Sequence, residues 1–183
     1  MEILETEIEG LTLLKPKVHF DKRGYFTESF KKNFFKAHFP QIEFVQDNEC
    51  SSTFGVLRGL HFQKSPYSQA KIIRVIEGEV LDVAVDLRPK SPTFGKYESV
   101  ILSGDNKNQF FIPRGFAHGF VTLSKNAIIS YKVDNYYAPE YDSGIIYNDS
   151  TLNVDWLIKE NKLILSEKDK KLKSFINLNP NVF

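Results

Sequence analysis

Between Leu57 and Val133 the chain is cut into apolar segments of fewer than about ten residues by turns built on Gly and Pro. The candidate strands are Leu57–Phe62, Ile72–Ile76, Glu79–Leu87, Tyr97–Leu102, Gln109–Ile112, Phe116–Leu123 and Ala127–Val133. Glu77-Gly78, the loop Pro89–Gly95 and Pro113-Arg114-Gly115 separate them. Such short strands bury apolar surface only by stacking two sheets or closing one, so the expected class is an all-β sandwich, jelly roll or barrel. Upstream, Thr12–Phe20 reads as a strand, Asp21–Gly24 as a turn and Tyr25–Phe30 as a second strand with Phe26, Glu28 and Phe30 on one face. Helix is expected at only two places. One is Lys31–Phe39, closed by Pro40; the other is a tail near Ser166–Phe175, where Ser166 three residues before Asp169 has the spacing of a helix cap. The 16 Phe against one Trp suit a sheet-rich aromatic core.

With 24 Lys+Arg against 23 Asp+Glu the net charge is +1, which gives no general electrostatic case for nucleic acid or an anionic membrane. An anion must be met by local cations. The single cysteine, Cys50, excludes an intrachain disulfide framework and fits a reducing compartment. The first ten residues are acidic, without the basic and apolar regions of a signal peptide, and no apolar run is long enough to span a membrane. The expectation is one cytoplasmic domain over residues 1–183, with no repeat or linker.

Chemistry concentrates in Gly55–Arg74, where Arg58, His61, Gln63, Gln69, Lys71 and Arg74 are interleaved with apolar residues. A strand built only for packing would not choose these groups. A histidine flanked by cations suits a general base acting on an acidic carbon beside a phosphate-bearing handle. Taken alone, His61 reads more simply as a hydrogen-bonded core histidine; its neighbours weigh against that. Strict alternation puts Arg58 and His61 on opposite faces, whereas a bulge at Gly59 would bring them together, and the sequence leaves both open. On the preceding strand Ile42, Phe44, Gln46 and Asn48 share a face. Its two amides either line a space or mark a solvated strand end near a turn at Glu49–Gly55.

The turn at Glu77-Gly78-Glu79 and the later Pro113-Arg114-Gly115-Phe116-Ala117-His118 resemble half of the cupin pattern, a double-stranded β-helix. The other half of that pattern carries H-x-H metal ligands, and here it reads His61-Phe62-Gln63. A carboxamide is a poor substitute for imidazole, so no metal site is expected. A fuller resemblance lies in D-K-R-G-Y-F-T-E-S-F (21–30), Q-D-N (46–48), G-V-L-R-G-L-H-F-Q (55–63), Q-A-K (69–71), D-V-A-V-D-L-R (82–88), S-P-T-F-G (91–95), I-P-R-G-F-A-H-G-F (112–120) and L-S-E-K-D (165–169). These linked blocks resemble the dTDP-4-dehydrorhamnose 3,5-epimerase family from about residue 10 to about residue 170.

The resemblance implies a cupin jelly roll, no cofactor, a homodimer, and inversion at C3 and C5 of dTDP-4-dehydro-6-deoxy-D-glucose. It further implies His61 as base, Asp169 as its orienting carboxylate, Tyr131 as acid and Lys71 as stabiliser of the enolate oxygen. Arg23, Arg58 and Lys168 are then the cations for the diphosphate. Glu28, Gln46, Asp47, Asn48 and His118 are hydrogen-bonding positions, Tyr137 stacks on thymine, and the region of Arg23 and Glu28 comes from the partner subunit. Three departures stand out. Asp142 occupies a substrate-contact position that is commonly Glu, Tyr147 stands in Y-N-D where W-N-D is usual, and Cys50 replaces a small polar residue. Tyr147 is expected to be a packing change and Cys50 an inert thiol. Two other functions share most of these motifs: an epimerase of C3 or C5 alone, and a non-catalytic sugar-nucleotide binding module, which would have no use for a paired acid and base.

Overall fold

The computed structural model describes residues 1–178; the last five residues of the expected unit lie outside the described residues. The N-terminal part holds β1 (Glu2–Glu5), β2 (Thr12–Lys15), β3 (Val18–Asp21), β4 (Gly24–Thr27) and the helix α1 (Lys32–His38). The body follows as β5 (Gln46–Thr53), β6 (Leu57–Gln63), β7 (Lys71–Glu77), β8 (Glu79–Asp86) and β9 (Tyr97–Ser103). It continues through β10 (Gln109–Ile112), β11 (Phe116–Thr122), β12 (Asn126–Val133) and β13 (Asp142–Gly144). Two antiparallel sheets result, in the orders β1-β2-β10-β7-β12-β5 and β13-β6-β11-β8-β9, with β3 and β4 forming a separate hairpin. Among the described residues no helix is long and apolar enough to cross a membrane.

Side-chain alternation sorts the apolar residues into three layers. Ile73 and Val75 of β7, Ile129 of β12, Val80 and Ala84 of β8, and Phe116 and Phe120 of β11 form the layer between the sheets. Leu57, Leu60, Leu81, Val83, Ala117 and Val121 face the other way, where Trp156, Leu163, Leu165 and Phe175 of the C-terminal segment cover them. Ile72 and Phe111 face outward from the larger sheet and are covered by Phe34 and Phe35 of α1 with Phe30, Phe39 and Phe44. Six of the 16 Phe fasten one short helix to a sheet in this way, through ring pairs such as Phe30–Phe35 and Phe39–Phe111 with centroids 5.0 and 4.1 Å apart.

The all-β class, the central strands and α1 follow the sequence expectation closely. Five details differ, the first being that the strand expected to carry Ile42, Phe44, Gln46 and Asn48 begins only at Gln46. The expected strand Thr12–Phe20 is two strands, because Pro16 cannot donate to a ladder. The strand expected over Tyr25–Phe30 runs only from Gly24 to Thr27, and Glu28 leaves the ladder to pair with Lys31. The expected turn Glu49–Gly55 is mostly strand, since all of Gln46–Thr53 pairs with Val133–Asn126. The C-terminal helix does not form. Ser166 Oγ does accept the Asp169 N–H at 3.1 Å, but it heads only the 3-10 turn Asp169–Lys171. The flanking backbone is committed to the sheet instead: Leu57 N–H donates to Ile164 O at 2.9 Å and Ile146 N–H to Lys173 O at 2.9 Å.

Candidate active site

The ladder between β6 and β11 contains the irregularity that assembles the site. His61 pairs with His118 and Arg58 with Phe120, so Gly59 and Leu60 together oppose Gly119 alone. This is a β-bulge, and the extra residue flips the side-chain parity of β6. Arg58 and His61 therefore both face the inter-sheet space, while Leu57 and Leu60 both face the outer layer. Only glycine fits at the first bulge position. Its φ is +138°, and an added Cβ would lie 2.5 Å from Gly119 Cα.

A cleft of about 480 Å³ opens between the sheets, lined by Arg58, His61, Lys71, His118, Tyr131, Lys168 and Asp169 with Cys50, Phe120 and Leu165. An adjoining cavity of about 350 Å³ shares His61, Lys71, Tyr131 and Lys168 and adds Gln46, Asn48, Gln69, Tyr137 and Asp142. Its amides decide the earlier alternative: Gln46 and Asn48 line a space, and Gln46 Nε2–H donates to Asn48 Oδ1 at 2.8 Å. The site thus draws on β5, β6, β7, β11 and β12 and on the C-terminal segment.

His61 Nε2 lies 2.6 Å from Asp169 Oδ1. With Nε2–H given to the carboxylate, Nδ1 remains as the basic nitrogen. Burial pushes the Asp169 carboxyl up, but the bonds from His61, Ser166 and the Gly59 N–H outweigh it and leave the carboxyl below its ordinary value. Asp169 is therefore a buried anion at neutral pH, 3% exposed, beneath an imidazole that reaches the cleft. The bulge glycine serves twice: it aims Arg58 and donates its N–H to the carboxylate.

On the opposite strand Tyr131 is held above its ordinary pKa by burial and by Cys50, against a lowering from Arg58, so it carries its proton at neutral pH. Burial pulls Lys71 down to about 8, while Asp82 and Asp142 pull it back up. His118, buried at the base of the cleft, contacts both Asp82 oxygens at 2.9 and 3.0 Å, and burial lowers its pKa despite that carboxylate. At the mouth, Tyr137 O–H donates to Asp142 Oδ2 at 3.0 Å, and Lys168 pairs with the same oxygen. Asp142 thus ties Tyr137 to Lys168. Arg58 leans along β5, with Nε–H donating to Ser52 Oγ at 3.2 Å.

Three sequence candidates stand apart from this cleft. Asp47 sits on the outer face of β5, paired with Lys132 at 2.7 Å. Alternation separates it from Gln46 and Asn48. Arg23, at the tip of the β3–β4 hairpin, is paired with Asp21 at 2.5 Å, and Glu28 with Lys31 at 3.3 Å. The Gln63 amide is fully used in fastening loops: it donates to Tyr67 O at 2.8 Å and Tyr136 O at 3.1 Å and accepts the Ala138 N–H at 2.6 Å. Cys50 lines the cleft half-buried, its thiol pushed up by burial. Tyr147 packs as expected against the outer layer and also donates to Glu160 Oε1 at 2.7 Å. Asp82 received no role from the sequence; its signal was a carboxylate set, like Asp86, among the apolar residues of the strand Glu79–Leu87.

The sequence profile described as dTDP-4-dehydrorhamnose 3,5-epimerase matches residues 5–177. The chain belongs to this family of cupin-like sugar epimerases. It is 50% identical over 174 residues to the dTDP-4-dehydrorhamnose 3,5-epimerase of Escherichia coli (strain K12), covering 94% of this chain and 93% of that one. A crystal structure of dTDP-6-deoxy-D-glucose-3,5-epimerase from Legionella pneumophila Philadelphia 1, in complex with dTDP-4-keto-L-rhamnose, is similar with a TM-score of 0.94 and 46% identity, covering 99% of this chain and 96% of that one. The Bacillus anthracis str. Ames epimerase, with TDP and PPi bound, is similar with a TM-score of 0.91 and 44% identity over 95% and 99% of the two chains. As a dTDP-4-dehydrorhamnose 3,5-epimerase family member, the chain is an isomerase of dTDP-L-rhamnose biosynthesis.

Proposed function

We propose that the cleft inverts C3 and C5 of dTDP-4-dehydro-6-deoxy-D-glucose through enolates, giving dTDP-4-dehydro-L-rhamnose. The C4 ketone acidifies both neighbouring C–H bonds; a base removes one proton, and a proton returned to the other face inverts the centre. The observation that carries this reading is the His61–Asp169 contact at 2.6 Å, in a cleft that also holds a protonated Tyr131 and Lys71. His61 Nδ1 takes the proton, and Asp169 stabilises the resulting imidazolium. Tyr131 delivers a proton from the opposite wall. Lys71, which lines the same cleft, meets the charge that develops on the C4 oxygen. None of these steps calls on a metal or a nucleotide cofactor.

Arg58 and Lys168 supply cations for the diphosphate and Tyr137, 57% exposed, a flat partner for thymine. Arg23 and Glu28 fit the same substrate as contributions from a second subunit of a homodimer. Their hairpin carries Phe20, Tyr25 and Phe26 at 75%, 51% and 67% exposure, an apolar surface that a partner would cover. The two facing sheets support a double-stranded β-helix of the cupin type, and the lone free Cys50 supports a cytoplasmic setting. The test is solvent-deuterium exchange into the sugar: label at both C3 and C5 is expected, label at one site would make this a single-site epimerase, and none would make it a binding module.

Two further outcomes follow from the same roles. Arg58→Ala should weaken dTDP by the loss of a charge-assisted contact, about 1.5–3 kcal/mol, measurable by calorimetry; unchanged affinity would remove Arg58 from the handle. Lys71 must be charged to hold the enolate. It is protonated below its pKa and neutral above it, so kcat/KM should fall as the pH rises through about 8. An alkaline limb that persists unchanged in Lys71→Met would assign that titration elsewhere.

A further inference from the structure

Gln63 ends β6 two residues beyond His61, and both line the cavity that also holds Tyr137. It is 4% exposed. The proposed chemistry gives it no task, yet a buried carboxamide is costly unless its donors and its acceptor are all met. Here three backbone groups from two loops meet them. Nε2 donates to Tyr67 O at 2.8 Å and to Tyr136 O at 3.1 Å, and Oε1 accepts the Ala138 N–H at 2.6 Å.

The last two of these groups bracket a single residue. Tyr136 O belongs to the peptide before Tyr137 and the Ala138 N–H to the peptide after it, so one planar amide fixes both peptide planes around the Tyr137 Cα. Those planes set φ and ψ of Tyr137, and with them the direction of its Cα–Cβ bond. The far end of the side chain is held from the same rung of the ladder. Asp142, which pairs with Gln63 between β13 and β6, accepts the Tyr137 O–H at 3.0 Å. Tyr137 is 57% exposed between these two anchors, so burial does little to aim its ring.

We infer that Gln63 is a positioning residue for nucleobase recognition, its buried amide presetting Tyr137 as the platform for the base of a nucleoside diphosphate. The inference rests on the reading of Tyr137 as the flat partner of thymine and adds the group that aims it. A platform aimed before the ligand arrives spares the ordering cost that a loosely held loop tyrosine would carry into binding. Gln63 spends both donors and its acceptor on backbone, so it acts through Tyr137. Its effect should fall on the base end of the substrate and leave the diphosphate end and the proton transfers alone.

Calorimetry with dTDP and with inorganic pyrophosphate, beside steady-state kinetics, tests it. Gln63→Met, close in shape but without the amide, should weaken dTDP about three- to tenfold, leave pyrophosphate within about twofold, and raise KM with kcat nearly unchanged. Tyr137→Ala should weaken dTDP about tenfold. Adding Gln63→Met to Tyr137→Ala should then cost nothing more, because the group it aims is gone. Should Gln63→Met fail to fold, Gln63→Asn carries the same measurements: its amide can be met by water but is one methylene short of the loop. The role of Gln63 is overturned if dTDP affinity is unchanged, if dTDP and pyrophosphate weaken equally, if kcat falls in place of a rise in KM, or if the two substitutions add in full. Wild-type dTDP affinity in Tyr137→Ala overturns instead the placing of thymine on Tyr137, whatever Gln63 does.

Discussion

His61→Asn is expected to stop proton exchange at both C3 and C5 while dTDP affinity stays within about threefold of wild type. His61 and His118 are both held by a buried carboxylate, but the His61 side chain is 31% exposed against 10% for His118, and with its Nε2 fixed to Asp169 at 2.6 Å its Nδ1 is left over. Removing His61 leaves Lys71 and Tyr131, which act in their protonated forms, and His118, which is buried against Asp82. The expected loss is at least the ~10²–10⁴ attributed to a positioned base, and larger if nothing in the cleft substitutes for it. Binding should survive because Arg58, Lys168 and Tyr137 reach the cleft from other backbone positions. The substitution also deprives Asp169 of its imidazole partner, but the Gly59 N–H and Ser166 still bond that carboxylate, so the melting temperature should fall by only a few degrees. Calorimetry with dTDP and deuterium NMR of the sugar decide it. Residual exchange at more than a few per cent of the wild-type rate would show that another group is the base.

The all-β class was legible in the strand rhythm because alternation and Gly/Pro turns are local properties. The shared face of Arg58 and His61 was not, since it depends on two residues of β6 opposing Gly119, some sixty residues away in sequence. Period-2 reasoning gives the wrong answer wherever a ladder skips. The same reasoning gives the right answer for Asp47, which alternation alone assigns to the face opposite Gln46 and Asn48; grouping the three as one motif conceals that. The C-terminal tail shows the opposite failure. Its Ser166 cap is real, but backbone groups on either side are taken up by β6 and by the segment just after β13, and this bonding outcompetes one turn of helix. Asp82 escaped because a carboxylate inside an apolar strand has no meaning until its partner, His118, is seen beside it.

Tyr131→Phe and Asp169→Asn separate the two walls of the cleft. If His61 removes protons and Tyr131 returns them, Tyr131→Phe should still exchange at least one substrate proton with solvent, while inverted product falls by ~10² or more. Burial and Cys50 hold the Tyr131 phenol protonated, so the phenylalanine loses a donor and nothing else of the wall. Asp169→Asn should lie between this and the loss of His61: folded, able to bind dTDP, and slow. The Ser166 cap uses the backbone N–H of residue 169, which asparagine retains, so a purely structural Asp169 predicts near-normal turnover with a small drop in melting temperature. A working dyad predicts the reverse, because the amide keeps the approximate shape but loses the charge that stabilises the imidazolium, and the tautomer of His61 is no longer fixed. Deuterium NMR on both variants, beside their melting curves, distinguishes these outcomes. Full epimerisation by Tyr131→Phe would remove tyrosine from the chemistry and require the returning proton to come from the His61 side alone.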